Sequence, residues 1–266
     1  MKLDGSKILV TGASSGIGAA LAPQLAAKGA TVGIVARRAD RLEAVVAECR
    51  KHTPDSTFWA ADLSDVDRAV AVALEAWDHF GGLDALVNNA AIGKRKLVQT
   101  LTPEDLDETM RTNFTSPIRM GMALLPRWLE RGEGLVVNVS SMGGRLGILH
   151  EAAYSASKFA MCGWSESMRL DLDGTGVKVK LVLPGPIETE IWEVRPGELP
   201  GLYDGPFVTA ADCATDIVAA MQDDGFEYYT PEEVPGGWRQ KDLVVGKTQS
   251  CDVFLTGMAQ MGSPEG

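Results

Sequence analysis

Along this chain, short runs of β-branched and aliphatic residues alternate with longer stretches in which apolar residues return every three or four positions. The first pattern suits strands and the second suits amphipathic helices. Strands are expected at 7–11, 31–36, 57–61, 85–88, 135–140, 177–183 and 226–229. Helices are expected from about 16, from about 40, and over 66–80, 103–131, 152–172 and 210–222, with Pro117 and Pro126 placed to interrupt the longest of them. The run at 177–183 is almost wholly apolar, as a parallel strand buried on both faces requires. Strand and helix in alternation predict an α/β fold: a single doubly wound parallel sheet of about seven strands with helices on both faces. Ligand then binds at the carboxyl ends of the strands. Thr11 to Gly18, Ala36 to Arg38, Asp62, Asn89, Ser141 and Pro184 to Thr189 all follow expected strands, so polar and glycine signals converge on one edge.

Composition narrows this picture. The 266 residues suit one large domain with an ample core. With 36 acidic against 25 basic residues the formal charge is -11, which repels a phosphate backbone and speaks against nucleic acid as a partner. No run of eighteen apolar residues occurs and the first residues carry no apolar signal region, so a cytoplasmic protein with no membrane partner is expected. Cys49, Cys162, Cys213 and Cys251 are too scattered for a zinc site or a disulfide framework; reduced thiols and no metal are expected. Gly246-Lys-Thr248 imitates a P-loop but has Lys241 where the motif needs glycine, and the glycosylation patterns at Asn113 and Asn138 lack a secretory signal.

Three local constellations carry chemistry. Thr11-Gly-Ala-Ser-Ser-Gly-Ile-Gly18 lies between the first strand and first helix, where backbone amides can hold an anion. Gly12 permits the tight turn, Gly16 the approach of a pyrophosphate, and Gly18 close packing of helix on strand. After the second strand, the acidic residue that would bind a ribose 2′-hydroxyl is missing. Arg37 and Arg38 stand there with Arg41 one turn on, favouring a 2′-phosphate. The plainer alternative is a solvated helix start, but arginines there oppose the helix dipole at a few tenths of a kcal/mol each, roughly, and Asp40 offsets only part of that. Third, Tyr154 and Lys158 are four apart and share a helix face. An ammonium near a phenol lowers its pKa, and a seryl hydroxyl from a neighbouring strand end, Ser140 or Ser141, can steady a substrate oxygen. Such a Tyr-Lys pair also occurs by chance on many helices.

Taken together, T-G-x-x-x-G-x-G at Thr11 to Gly18, Asp62-Leu63, Asn88-Asn89-Ala90, Asn113, Ser141, Tyr154-x-x-x-Lys158 and Pro184-Gly185 followed by Thr189 resemble the classical short-chain dehydrogenases/reductases over about residues 3–229. The resemblance implies a Rossmann-like fold. It implies Tyr154 as general acid or base, Lys158 as the group that lowers its pKa and holds the nicotinamide ribose, and Ser141 as the group that orients the substrate oxygen. Ser141 is preferred because it lies thirteen residues before the tyrosine, the family's usual separation. Asn113 would shape the active-site helix and hold a relay water. Around the cofactor the resemblance places Gly12, Ser14, Ser15, Gly16, Ile17, Gly18, Arg37, Arg38, Asp62, Leu63, Asn89, Tyr154, Lys158, Pro184, Gly185, Ile187 and Thr189. The family's N-N-A-G reads here Asn88-Asn89-Ala90-Ala91, so a local backbone adjustment is expected. Ser15 stands where some NADP-preferring relatives carry a basic residue, leaving the 2′-phosphate mainly to Arg37 with Arg38 in support.

The expected activity is hydride transfer between NADP(H), with NAD(H) possible, and the carbonyl or alcohol carbon of a mostly apolar small molecule. An NAD-linked alcohol dehydrogenase of hydroxysteroid-like or polyol type is the alternative, and a non-catalytic nucleotide-sensing protein the third reading. Residues 1–230 would form the dinucleotide-binding and catalytic domain, with a lid at 186–208 whose Trp192, Leu199, Leu202, Tyr203 and Phe207 make an apolar lining. Residues 143–150 would form the opposite wall, where Arg145 or His150 could meet a polar substituent or else point into solvent. The extension 231–266 is too apolar to be purely disordered and is expected to pack on the lid or on a neighbouring subunit of a homodimer or homotetramer.

Overall fold

A computed structural model describes residues 1–234 and 237–260 of the chain. Seven parallel strands form the sheet: β1 (Lys7–Thr11), β2 (Thr31–Ala36), β3 (Thr57–Ala60), β4 (Ala85–Asn88), β5 (Gly134–Val139), β6 (Val177–Pro184) and β7 (Glu227–Thr230). Their order is β3-β2-β1-β4-β5-β6-β7. The order reverses between β1 and β4, and the crevice there opens at the strands' carboxyl ends.

The pleat explains how two cores arise from one sheet. Ile8 and Val10 face a cluster with Leu21 and Leu25 of α1 (Gly16–Ala27), Leu42 and Val46 of α2 (Ala39–Arg50), and Ile217 and Met221 of α7 (Ala210–Gln222). Leu9 between them faces the other side, with Val72 and Ala76 of α3 (Val66–Phe80) and Leu124 and Trp128 of α5 (Ser116–Arg131). Successive side chains of a strand point to opposite faces, so a strand covered on both sides reads as one apolar run. Both clusters lie at or near full burial. At about 25 cal/mol per Å² they are the main source of stability.

The expected helix at 103–131 is three elements. Helix α4 (Pro103–Met110) starts at a capping box in which Thr102 and Asp105 satisfy each other's backbone amides, and a π-helical turn spans Arg111–Thr115 before α5 begins with Pro117 in its first turn. The break therefore precedes Pro117, and Pro126 lies inside α5. Helix α6 (Ala152–Asp171) carries Tyr154 and Lys158. Beyond β7, β8 (Glu233–Val234) pairs antiparallel with β9 (Trp238–Arg239), followed by α8 (Gln240–Gln249) and α9 (Cys251–Gln260). Of the extension expected at 231–266, residues 235, 236 and 261–266 and the side chains of Phe254, Met258 and Ala259 lie outside the described residues. Among the described residues no helix is long and apolar enough to cross a membrane.

Candidate active site

The carboxyl ends of the strands frame a cavity of about 1040 Å³. The glycine turn, the start of α2, the segments after β3, β4, β5 and β6, α6 and residues of the extension all reach it. Local geometry explains the turn. Gly12 sits at φ +70, and a Cβ there would lie 2.7 Å from Ala90 Cα, so only glycine fits. Thr11 fastens the turn to β4: its Oγ1 accepts the Asn89 and Ala90 amides at 2.9 and 3.0 Å, and Asn89 Nδ2 donates to Thr11 O at 2.9 Å. Gly18 packs behind the turn, where a Cβ would meet Gly12 O at 2.5 Å.

Gly12, Ser14, Ser15, Gly16, Ile17, Arg37, Arg38, Asp62, Leu63, Asn89, Ser141, Tyr154, Lys158, Pro184, Gly185, Ile187 and Thr189 all line the cavity. Gly18 and Asn113 do not. Asn113 is 1 % exposed in the π-helical turn; its Oδ1 accepts the Ile92 amide at 2.8 Å, while Nδ2 donates to Ile92 O at 2.9 Å and Ser157 Oγ at 3.1 Å. Those bonds tie the segment after β4 to the active-site helix. Asp62 accepts from the Ser64 amide, while Asp65 caps α3. Ala91 needs no adjustment for the missing glycine, because its φ is not in the left-handed region.

At the reaction end, Ser141 Oγ accepts the Gly143 amide at 3.0 Å, and its hydroxyl is placed to hydrogen-bond the Tyr154 phenol. Ser140 is used differently: its hydroxyl donates to Lys158 O at 3.0 Å behind the site. Lys158 is 2 % exposed, donates to Val139 O at 2.9 Å and lies 5.6 Å from the Tyr154 ring centroid. Burial pushes its ammonium down to about 8. Burial likewise pushes the Tyr154 phenol up, opposed by nearby Ser141 and Arg95 and reinforced by Glu151. The sequence led us to expect Lys158 to lower the tyrosine's pKa. Desolvation is the largest contribution at the phenol, and Lys158, 5.6 Å from the ring centroid, keeps an ammonium that is mostly protonated at neutral pH.

The expected walls are partly revised. Gly143, Leu146, Ile148 and Leu149 line the cavity, but Arg145 turns away to pair with Glu166 and Glu227, and His150 does not reach it. Of the lid, Trp192, Leu202 and Tyr203 line the cavity, whereas Leu199 and Phe207 do not; Phe207 instead stacks edge-on against Trp192 at 5.1 Å. The extension contributes Trp238 and Leu243 to the lining. Sequence patterns missed Arg95, which is 3 % exposed. Its Nε donates to Glu151 at 2.9 Å, its guanidinium bonds the Ile191 and Trp192 carbonyls, and it lies 5.3 Å from the Trp192 ring centroid. In the sequence it sits in a Lys-Arg-Lys run that reads as solvated surface. Glu190 was missed as well: it joins Arg38 at 2.8 Å and also Arg41.

The short chain dehydrogenase family profile matches residues 6–198. The chain is 35 % identical to D-threitol dehydrogenase of Mycolicibacterium smegmatis over 71 % of its length and 73 % of that protein's. It is 36 % identical to the monensin polyketide synthase putative ketoacyl reductase of Streptomyces virginiae, over 91 % and 93 % respectively. A short-chain dehydrogenase from Sphingobium yanoikuyae, solved in complex with NADPH, superposes with a TM-score of 0.79 at 27 % identity, covering 92 % of this chain and 94 % of that one. The protein belongs to the short-chain dehydrogenase family of oxidoreductases.

Proposed function

We propose that the protein is an NADP(H)-dependent reductase of a mostly apolar ketone or aldehyde, with Tyr154 as its general acid. The observation that carries this reading is the Tyr154 hydroxyl itself: half-buried, beside the hydroxyl of Ser141, near Lys158, at the open carboxyl edge of the sheet. A phenol held above its ordinary pKa is protonated at neutral pH, which suits donation to a carbonyl oxygen better than abstraction from an alcohol.

The cofactor's fit rests on the cradle at Gly12 and on the donors around it. The glycine turn would hold the pyrophosphate, Asp62 and Leu63 the adenine, Arg37 and Arg38 a 2′-phosphate, and Ile187 and Thr189 the carboxamide. When bound, the nicotinamide supplies the hydride that reduces the carbonyl carbon. Ser141 donates a hydrogen bond to the carbonyl oxygen and positions it. Tyr154 transfers its proton to that oxygen as negative charge develops there, and Lys158 steadies the phenolate left behind. Leu146, Ile148, Leu149, Trp192, Leu202 and Tyr203 exclude water and give the substrate an apolar bed. The Streptomyces relative carries the name of a reductase, in keeping with this direction. Oxidation of a polyol, as the name D-threitol dehydrogenase indicates for that relative, is the second reading; the apolar lining argues against it. Assembly into a homodimer or homotetramer belongs to the same proposal, supported by Val245, Val253 and Leu255 exposed on α8 and α9.

The test is a panel of ketones, aldehydes and polyols run with NADPH, NADH and their oxidised forms. Apolar ketones reduced faster with NADPH are expected. Turnover confined to polyols with NAD would replace this reading by the second.

A further inference from the structure

The arginines after β2 already hold an anion. Arg38 donates from Nε and Nη2 to Ser14 Oγ at 3.3 and 3.1 Å, from Nη2 to Ser15 Oγ at 2.8 Å, and from Nη1 to Glu190 Oε2 at 2.8 Å. Arg41 bonds the other carboxylate oxygen of Glu190. One carboxylate thus bridges two guanidinium groups beside two hydroxyls, a donor set that a phosphate would also satisfy. The Arg41 and Arg38 bonds hold the Glu190 carboxyl down to about 2, against an opposing contribution from burial. The group is therefore a full anion at neutral pH.

Glu190 opens the short turn Glu190–Trp192, the first part of the lid. Thr189 before it packs against Gly16 of the glycine turn, and Trp192 after it donates to Ile187 O at 2.8 Å. The side chains of Arg38, Arg41 and Glu190 are 38, 45 and 35 % exposed, so the ion pairs are weak enough to exchange.

We infer that Glu190 is a specificity-determining residue: a resident anion of the lid that occupies the Arg38–Arg41 site and is displaced when the 2′-phosphate of NADP(H) enters. This rests on the NADP(H) reading above. Two anions cannot share that donor set without strong repulsion, so the lid carboxylate must leave and its lost ion pairs are charged against phosphate binding. A cofactor without the phosphate leaves the Glu190 pairs in place. The lid then discriminates against NADP(H) less than the arginines favour it, and the net preference is smaller than the arginines alone would produce.

Calorimetric titration of the full chain with NADPH and with NADH separates the possibilities without reference to turnover. Wild type binding NADPH more tightly than NADH is the result required by the underlying reading; failure there removes both. Glu190→Gln, of the same shape and without charge, is expected to tighten NADPH roughly fivefold and to leave NADH unimproved. Glu190→Asp, which keeps the charge, is expected to bind NADPH more weakly than Glu190→Gln. An NADPH Kd that is unchanged or weaker in Glu190→Gln, or equal tightening of NADH, overturns the inference while leaving the cofactor reading intact; a weaker one would make Glu190 a clamp over the cofactor.

Discussion

The two ends of one cavity are built on opposite electrostatic principles. At the reaction end, Lys158 is buried and Tyr154 half-buried, and desolvation pushes the phenol up and the ammonium down to about 8. At the end proposed for the adenosine, Arg38, Arg41 and Glu190 stay partly exposed, each satisfied by its ion-pair partners. Burial makes proton transfer between neighbouring groups cheap, because neither protonation state is locked by strong solvation. Exposure makes one anion exchangeable for another, because each ion pair is individually weak. On the proposed reading, the same cleft offers chemistry at one end and reversible charge recognition at the other.

The largest expected effect breaks the reaction end. Tyr154→Phe removes the transferable proton and keeps the ring, so kcat should fall at least ~100-fold while NADPH affinity, read by calorimetry, stays near wild type. Retained turnover would move the acid elsewhere. The adenosine end gives the next effect. The sequence put the weight on Arg37, but among the described residues it makes no side-chain hydrogen bond, whereas Arg38 is bonded to Ser14, Ser15 and Glu190. Arg38→Ala should weaken NADPH about tenfold or more and exceed the loss in Arg37→Ala. The reverse order in paired titrations would restore Arg37 as the main contact. The smallest effect is on pH. The Lys158 ammonium, whose pKa is lowered to about 8, is protonated below that value and neutral above it, while Tyr154 stays protonated throughout. The rate of reduction, as kcat/KM, should therefore be level below pH 8 and decline above it. In Lys158→Arg, which remains charged, any surviving activity should lose that limb.

How much was legible from sequence depended on the span of each interaction. The seven strands followed from apolar runs, with ends displaced by a residue or so, as where 226–229 became Glu227–Thr230, whereas their order and the switch point came from the structure. The glycine turn and the Tyr154-Lys158 face are local patterns, readable because a turn or one helical repeat fixes their geometry. The π-helical turn at Arg111–Thr115 was not, since the composition around Pro117 reads as an ordinary helix interruption. The orientation of Arg145 was left open, because its partners, Glu166 and Glu227, come from α6 and β7.

By itself, then, the sequence determined the α/β alternation, the glycine turn and the shared helix face of Tyr154 and Lys158, all set by backbone geometry over a few residues. Only the tertiary structure decided that Arg38 meets Glu190 across 152 positions, that Arg95 meets Glu151 across 56, and that burial pushes the Tyr154 phenol up. The physical reason is the same for all three. Ion pairing and desolvation depend on which distant segments the sheet brings together, and no periodicity along the chain records that.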